Sequence, residues 1–105
     1  EVKKEYSYDF NKTYNEIANQ DLAIRTSGCV ALDLAYISTG RLDAIWAHGV
    51  KLGDVAAGLL IAQESGALIS NFNGDPKYLD GDHFICSSPK VYKSILKSVK
   101  PYFKA

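Results

Sequence analysis

Lys51-Leu52-Gly53-Asp54-Val55-Ala56-Ala57-Gly58-Leu59-Leu60 is the stretch on which the reading of this chain turns. A polar, glycine-containing turn meets an apolar run of small residues, and one carboxylate stands at the junction. Asp54 at a helix start can accept a hydrogen bond from a first-turn N–H, and it complements the positive end of the helix dipole. Ala56, Ala57 and Gly58 carry almost no side chain, so another group can pack close to that turn. The pattern predicts a helix over 54–65, running through Leu59, Leu60, Ile61 and Ala62 and stopped by Gly66. A capped, buried helix of an α/β domain accounts for these residues. A sharper reading makes Asp54 a metal ligand, and that reading needs support from the rest of the chain.

Working outward toward the N-terminus, Arg41-Leu42-Asp43-Ala44-Ile45-Trp46 reads as a strand, joined to the helix by a loop from Ala47 to Gly53. Before it, Val30, Leu32, Leu34, Ala35, Tyr36 and Ile37 cover much of a helical circumference, the mark of a buried helix, which Ser38, Thr39 and Gly40 end. Leu22-Ala23-Ile24-Arg25-Thr26 reads as a strand ended by Ser27 and Gly28. Tyr14, Ile17 and Ala18 at i, i+3 and i+4 predict a short amphipathic helix ending near Asn19, with Asn11 or Thr13 as its cap. Residues 1–10 alternate loosely between polar and aromatic and read as an extended edge or a lead-in segment.

Toward the C-terminus, 67–72 is a strand candidate. Asn73-Gly74-Asp75-Pro76 and Asp80-Gly81 are turn signals, and 83–87 is a further strand. Ser87 or Ser88 can cap the last helix, with Pro89 in its first turn. Tyr92, Ile95, Leu96 and Val99 form its apolar stripe. Lys90, Lys93, Lys97 and Lys100 lie mostly outside the stripe and read as a solvated face rather than a phosphate or lipid site. The order α, β, α, β, α, β, β, α predicts a layered α/β sandwich, its sheet mostly parallel or mixed and flanked by helices. The last two strands, separated by a turn, are free to run antiparallel.

Composition narrows the field. The 105 residues fit a single domain over 1–105, with 1–10 as the lead-in. Twelve basic and 12 acidic residues cancel, so no overall field argues for nucleic acid or a membrane as partner. No apolar run approaches the roughly 20 residues a bilayer span needs. Cys29 and Cys86, far apart in apolar surroundings, read as buried free thiols of a reducing, cytoplasmic setting. A chain without methionine that opens Glu-Val-Lys-Lys raises the expectation of a longer protein with a further N-terminal domain.

In an open α/β sheet, ligands gather where strands pass into helices. Arg25-Thr26-Ser27-Gly28-Cys29-Val30 is one such junction, where Gly28 lets a ligand approach the backbone and first-turn N–H groups favour an anion or a hydroxyl-rich ligand. Gly53-Asp54 is the second, and its carboxylate is a hard oxygen donor suited to Mg²⁺. Asp33 and Asp43 read as structural or exposed, and His48 as a solvent-facing loop histidine. One carboxylate is not a full magnesium ligand set.

The run from Arg25 to Ala35, then Thr39-Gly40, Leu42-Asp43-Ala44, Gly49, Asp54-Val55-Ala56-Ala57-Gly58 and Glu64-Ser65-Gly66, resembles the C-terminal half of the inositol monophosphatase family. The Asp-x-Ala-Ala-Gly element is similar to that family's second signature, W-D-x-A-A-G. The resemblance covers 15–100 and includes the Ser-Ser-Pro start of the last helix. It implies a layered α/β fold, usually a homodimer, and a Mg²⁺-dependent phosphomonoesterase acting on an inositol, sugar or related small-molecule phosphate. In the family, the aspartate matching Asp54 binds metal and touches substrate, and the backbone matching Gly28, Cys29 and Val30 contacts substrate. The water-positioning threonine and the other metal ligands belong to the family's N-terminal half. No catalytic residue of that kind is expected in this chain, which alone should be inactive. Two positions depart from the pattern: Gly53 stands where the family usually has tryptophan, and Ala47 where inositol-specific members carry a substrate-contacting glutamate. They keep open a second possibility, a non-catalytic α/β module that binds a small anion or a protein partner.

Overall fold

The computed structural model describes residues 7–19, 37 and 43–104, apart from the side chains of Leu52, Asp54 and Asp80. Its centre is β4 (Phe84–Ser87), buried at every position. Successive strand side chains point to opposite faces, so Phe84 and Cys86 serve one core and Ile85 another. β2 (Ala44–Ala47) and β3 (Leu68–Ser70) flank β4 in the order β2-β4-β3. Ile45 and Ile69 both stand opposite Cys86, and Trp46 opposite Ile85.

One face of this sheet packs Ile45, Ala47, Ile69, Phe84 and Cys86 against Val55, Leu59 and Ala62 of α2 (Leu52–Glu64). Ile37, helical and buried, joins that cluster. The other face packs Ala44, Trp46 and Ile85 against Ile17 of α1 (Phe10–Ala18) and Ile95 and Val99 of α3 (Tyr92–Val99). β1 (Ser7–Tyr8) pairs with β5 (Phe103–Lys104) as a separate two-stranded ribbon, which makes Ser7 and Tyr8 of the lead-in an edge; residues 1–6 lie outside the described residues. Helices on both sides of a sheet give the layered α/β sandwich expected from the element order.

The element order predicts a mostly parallel or mixed sheet, with the last two strands free to run antiparallel; those two do run antiparallel, and the β2 pairing with β4 is antiparallel as well. β2, α2 and β3 form a crossover whose two strands run the same way but are not adjacent; β4 fills the gap between them in the opposite sense. The turn between β3 and β4, where no α-helix intervenes, permits that reversal. Asn71 builds it, its Oδ1 accepting the Asn73 and Asp75 N–H groups at 2.9 Å each, while Gly74 takes φ +87°.

Three helix starts also differ from expectation. α1 is capped by Asp9, whose Oδ1 accepts the Lys12 N–H at 3.1 Å, not by Asn11 or Thr13. Thr13 is instead buried, its hydroxyl donating to the Asp9 carbonyl. Tyr14 and Ala18 are exposed, which leaves Ile17 as the buried apolar member of the expected stripe. α3 begins at Tyr92, because the Ser88 N–H is tied to the Asp43 carbonyl at 2.8 Å and 88–91 form a turn. The Ser87 hydroxyl donates to the Ser88 carbonyl and caps nothing. α2 begins at Leu52, two residues before Asp54. Its end is as expected: Gly66 at φ +99° donates to the Gln63 carbonyl and Ala67 to the Ala62 carbonyl, which closes the last turn.

α2 is buried on its inner side only; Leu60 and Ile61 are each 55% exposed. The predicted strand over 22–26, and the 29–39 helix apart from Ile37, lie outside the described residues. Among the described residues, no helix is long and apolar enough to cross a membrane.

Candidate functional site

The turn that carries Asp54 is held from two sides. β2 delivers the chain to Ala47, half-buried against the α2 core. Gly49 takes φ +68°, a conformation that L side chains rarely adopt. The Val50 N–H then donates to the Asp82 carbonyl at 3.1 Å and ties the loop to the segment that enters β4. With its end fixed there, the chain enters the helix at Leu52, and Lys51, extended at φ −80° and ψ 106°, becomes the flanking residue. Lys51 makes no side-chain cap bond. Asp54 is therefore the third helical residue and not the cap, still within the first turn, where the dipole favours an anion or a carboxylate.

Among the described residues, nothing crowds this turn. A Cβ placed on Gly53 would meet no described atom within 4 Å, and Gly53, Ala56 and Ala57 are exposed. The other half of the expected site, Gly28, Cys29 and Val30, lies outside the described residues, as does Asp33. Among the described residues, no group of three or more His, Cys, Asp and Glu side chains stands ready to hold a metal ion. Asp43 is exposed at the entry to β2, its carbonyl bonded to Ser88, which matches its structural reading.

The sequence did not reveal an aromatic group on the opposite face of β2. Phe10 stacks on Trp46 with ring centroids 5.8 Å apart, and His48 meets Tyr8 edge-on at 5.1 Å. His48 is exposed, as a loop histidine should be, but its ring is occupied by these aromatics. Burial pushes the Tyr8 phenol above its ordinary range. The alternation of Tyr8 and Phe10 with polar residues was the available signal; the partner strand was not. Cys86 is a free thiol, as expected, and burial pushes it up to about 12, which makes it a packing group and not a nucleophile.

Comparison with known proteins fits this architecture. The model of the inositol monophosphatase family matches residues 2–102. The Nus factor SuhB of Pseudomonas aeruginosa is 37% identical over 89 residues, covering 85% of this chain and 33% of that protein. The inositol-1-monophosphatase of Mesorhizobium japonicum is 38% identical over 77 residues, covering 73% of this chain and 29% of that protein. The crystal structure of the extragenic suppressor protein suhB from Bartonella henselae superposes with a TM-score of 0.81 at 25% identity, over 88% of this chain and 39% of that one. The chain spans about a third of the length of the curated relatives it matches.

Proposed function

This chain belongs to the inositol monophosphatase family, and from that premise we propose that it supplies one wall of the active site of a Mg²⁺-dependent phosphomonoesterase. The observation that carries the reading is the position of Asp54, third in a helix whose flanking residue makes no side-chain cap and whose first turn meets, among the described residues, nothing within 4 Å of a Cβ placed on Gly53. Asp54 would give an oxygen ligand to Mg²⁺ and touch the substrate, an inositol, sugar or related small-molecule phosphate. Gly28, Cys29 and Val30 would hold the substrate through their backbone. When bound, Mg²⁺ polarises phosphate oxygens and lowers the pKa of a coordinated water. The first-turn N–H groups of α2 and the dipole behind them favour a phosphate lying over Gly53. Small side chains at Ala56 and Ala57 let that group come near.

A full ligand set needs further carboxylates. On this reading the chain is the C-terminal part of a longer protein whose preceding domain brings them, and the 105 residues alone do not hydrolyse phosphate. The test is phosphate release from inositol monophosphate by the chain alone and by the protein that includes the preceding sequence. The proposal expects Mg²⁺-dependent turnover from the second and none from the first. Robust turnover by the chain alone, or none by the longer protein, overturns it. The longer enzyme would be a homodimer, readable from light scattering.

A second reading is favoured by names: several relatives are called Nus factors and not phosphatases. Gly53 and Ala47, where the family usually has tryptophan and inositol-specific members have glutamate, point the same way. On that reading the fold is kept for binding alone, and the longer protein should release no phosphate. Those names also leave the expected absence of a nucleic-acid partner without support.

A further inference from the structure

Lys93, Lys97 and Lys100 stand four and three residues apart, the spacing that sets side chains in one row along a helix. Two lie on α3 and the third directly follows it, while Lys90 lies in the turn that leads in. All four are exposed, and so is Ser94 between them. Among the described residues none of the four lies in an ion pair; the ion pair present joins Lys12 to Asp9 at 3.9 Å. From residue 83 to residue 105 the chain carries five lysines and no acidic residue, whereas the rest carries seven basic and 12 acidic residues. A net charge of zero therefore conceals a strongly basic end.

A face evolved only for solubility interleaves lysine with glutamate at i+4, which supports the helix. Like charges at these spacings repel and weaken it. The row is therefore not explained by folding. Neither is it explained by a membrane: a helix that lies on a bilayer needs an apolar face free to enter it. Here Ile95 and Val99 are buried, and Tyr92 and Leu96 are packed against the same core. Protein interfaces are depleted in lysine, whereas phosphate backbones are gripped chiefly by lysine and arginine, with serine hydroxyls adding hydrogen bonds. At about 1.5 Å per residue the row runs about 10 Å from Lys93 to Lys100, enough for neighbouring phosphates of one strand.

We propose that the outer face of α3, with Lys90, Lys93, Ser94, Lys97 and Lys100, is a docking surface for a nucleic-acid phosphate backbone. The surface is independent of the Asp54 turn and stands or falls apart from it. The test is fluorescence anisotropy with a labelled RNA of about 20 nucleotides and a DNA duplex of about the same length, titrated with the protein between about 50 and 200 mM salt. Three or four phosphate contacts predict a slope of log affinity against log salt of about −2 to −3 on the single strand. Replacing all four lysines by glutamine should weaken binding at least tenfold at the lowest salt and flatten the slope, with the thermal midpoint retained. Replacing them by arginine should preserve both. Should the fourfold glutamine variant fail to fold, Lys97→Gln alone decides, because it must reduce the slope by about 0.7. Affinity weaker than about 10⁻⁴ M for both nucleic acids, binding unchanged in the glutamine variant, or binding only to phosphatidylserine vesicles would each overturn the proposal.

Discussion

Asp54 is the residue with the most specific task. In the longer protein, Asp54→Asn should lower Mg²⁺-dependent turnover by orders of magnitude while circular dichroism and melting stay unchanged, since the substitution removes a charged oxygen ligand without altering the volume of the turn. Near-normal turnover would remove Asp54 from the metal site. Cys86 supplies a second test at this scale. In the unfolded chain its thiol ionises near 9.0, while burial holds the folded thiol protonated to about 12. The folded state therefore binds more protons in that interval, and stability must fall as pH rises from about 9 toward about 12, with the contribution fully present below 9. Between about pH 8 and pH 10, urea unfolding should lose about 1 kcal/mol more in the wild type than in Cys86→Ala. An equal loss would mean that Cys86 is not shielded.

The elements were legible to different depths in the sequence. Periodicity located α2, β2, β3, β4 and α3, because each has an apolar face that must be buried whatever its neighbours are. Gly66 was legible because a helix stop of this kind is local chemistry: a positive φ and two carbonyls to satisfy. Helix starts were not. Asp9 displaced Asn11, Leu52 preceded Asp54 and Tyr92 replaced Ser88, in the last two cases because a long-range bond, Val50 to Asp82 or Ser88 to Asp43, fixed the chain just upstream. Such bonds join segments distant in sequence, and no local pattern encodes them. Strand direction was legible only in part: the turn between β3 and β4 left that pair free to run antiparallel, whereas the alternation of strand and helix could not encode the entry of β4 between β3 and β2. At the candidate site, the packing of Phe10 and Tyr8 around Trp46 and His48 required the fold. Two variants test the element boundaries. Asp9→Ala should cost about 0.5–2 kcal/mol through the lost cap. Leu59→Ala, at a fully buried position between α2 and the sheet, should cost about 2–5 kcal/mol, against less than about 0.5 for the exposed Leu60→Ala. Equal costs for the two leucines would contradict the assigned face of α2.

At the scale of the molecule, two features point outward. On α2, Leu60 and Ile61 are 55% exposed, beside the small residues of its first turns. α3 carries a lysine row on its outer face, with its apolar side buried. The sheet between them packs against α2 on one face and against α1 and α3 on the other. The proposed catalytic wall belongs to the first helix and depends on groups that lie beyond α2 itself. The most direct test of that claim is a crystal structure of the longer protein grown with Mn²⁺ and read by anomalous scattering. The account predicts an ordered metal coordinated directly by the Asp54 carboxylate, with the backbone of 28–30 facing the same cleft. A metal held elsewhere, or the Asp54 turn and 28–30 on opposite sides of the sheet, would contradict it.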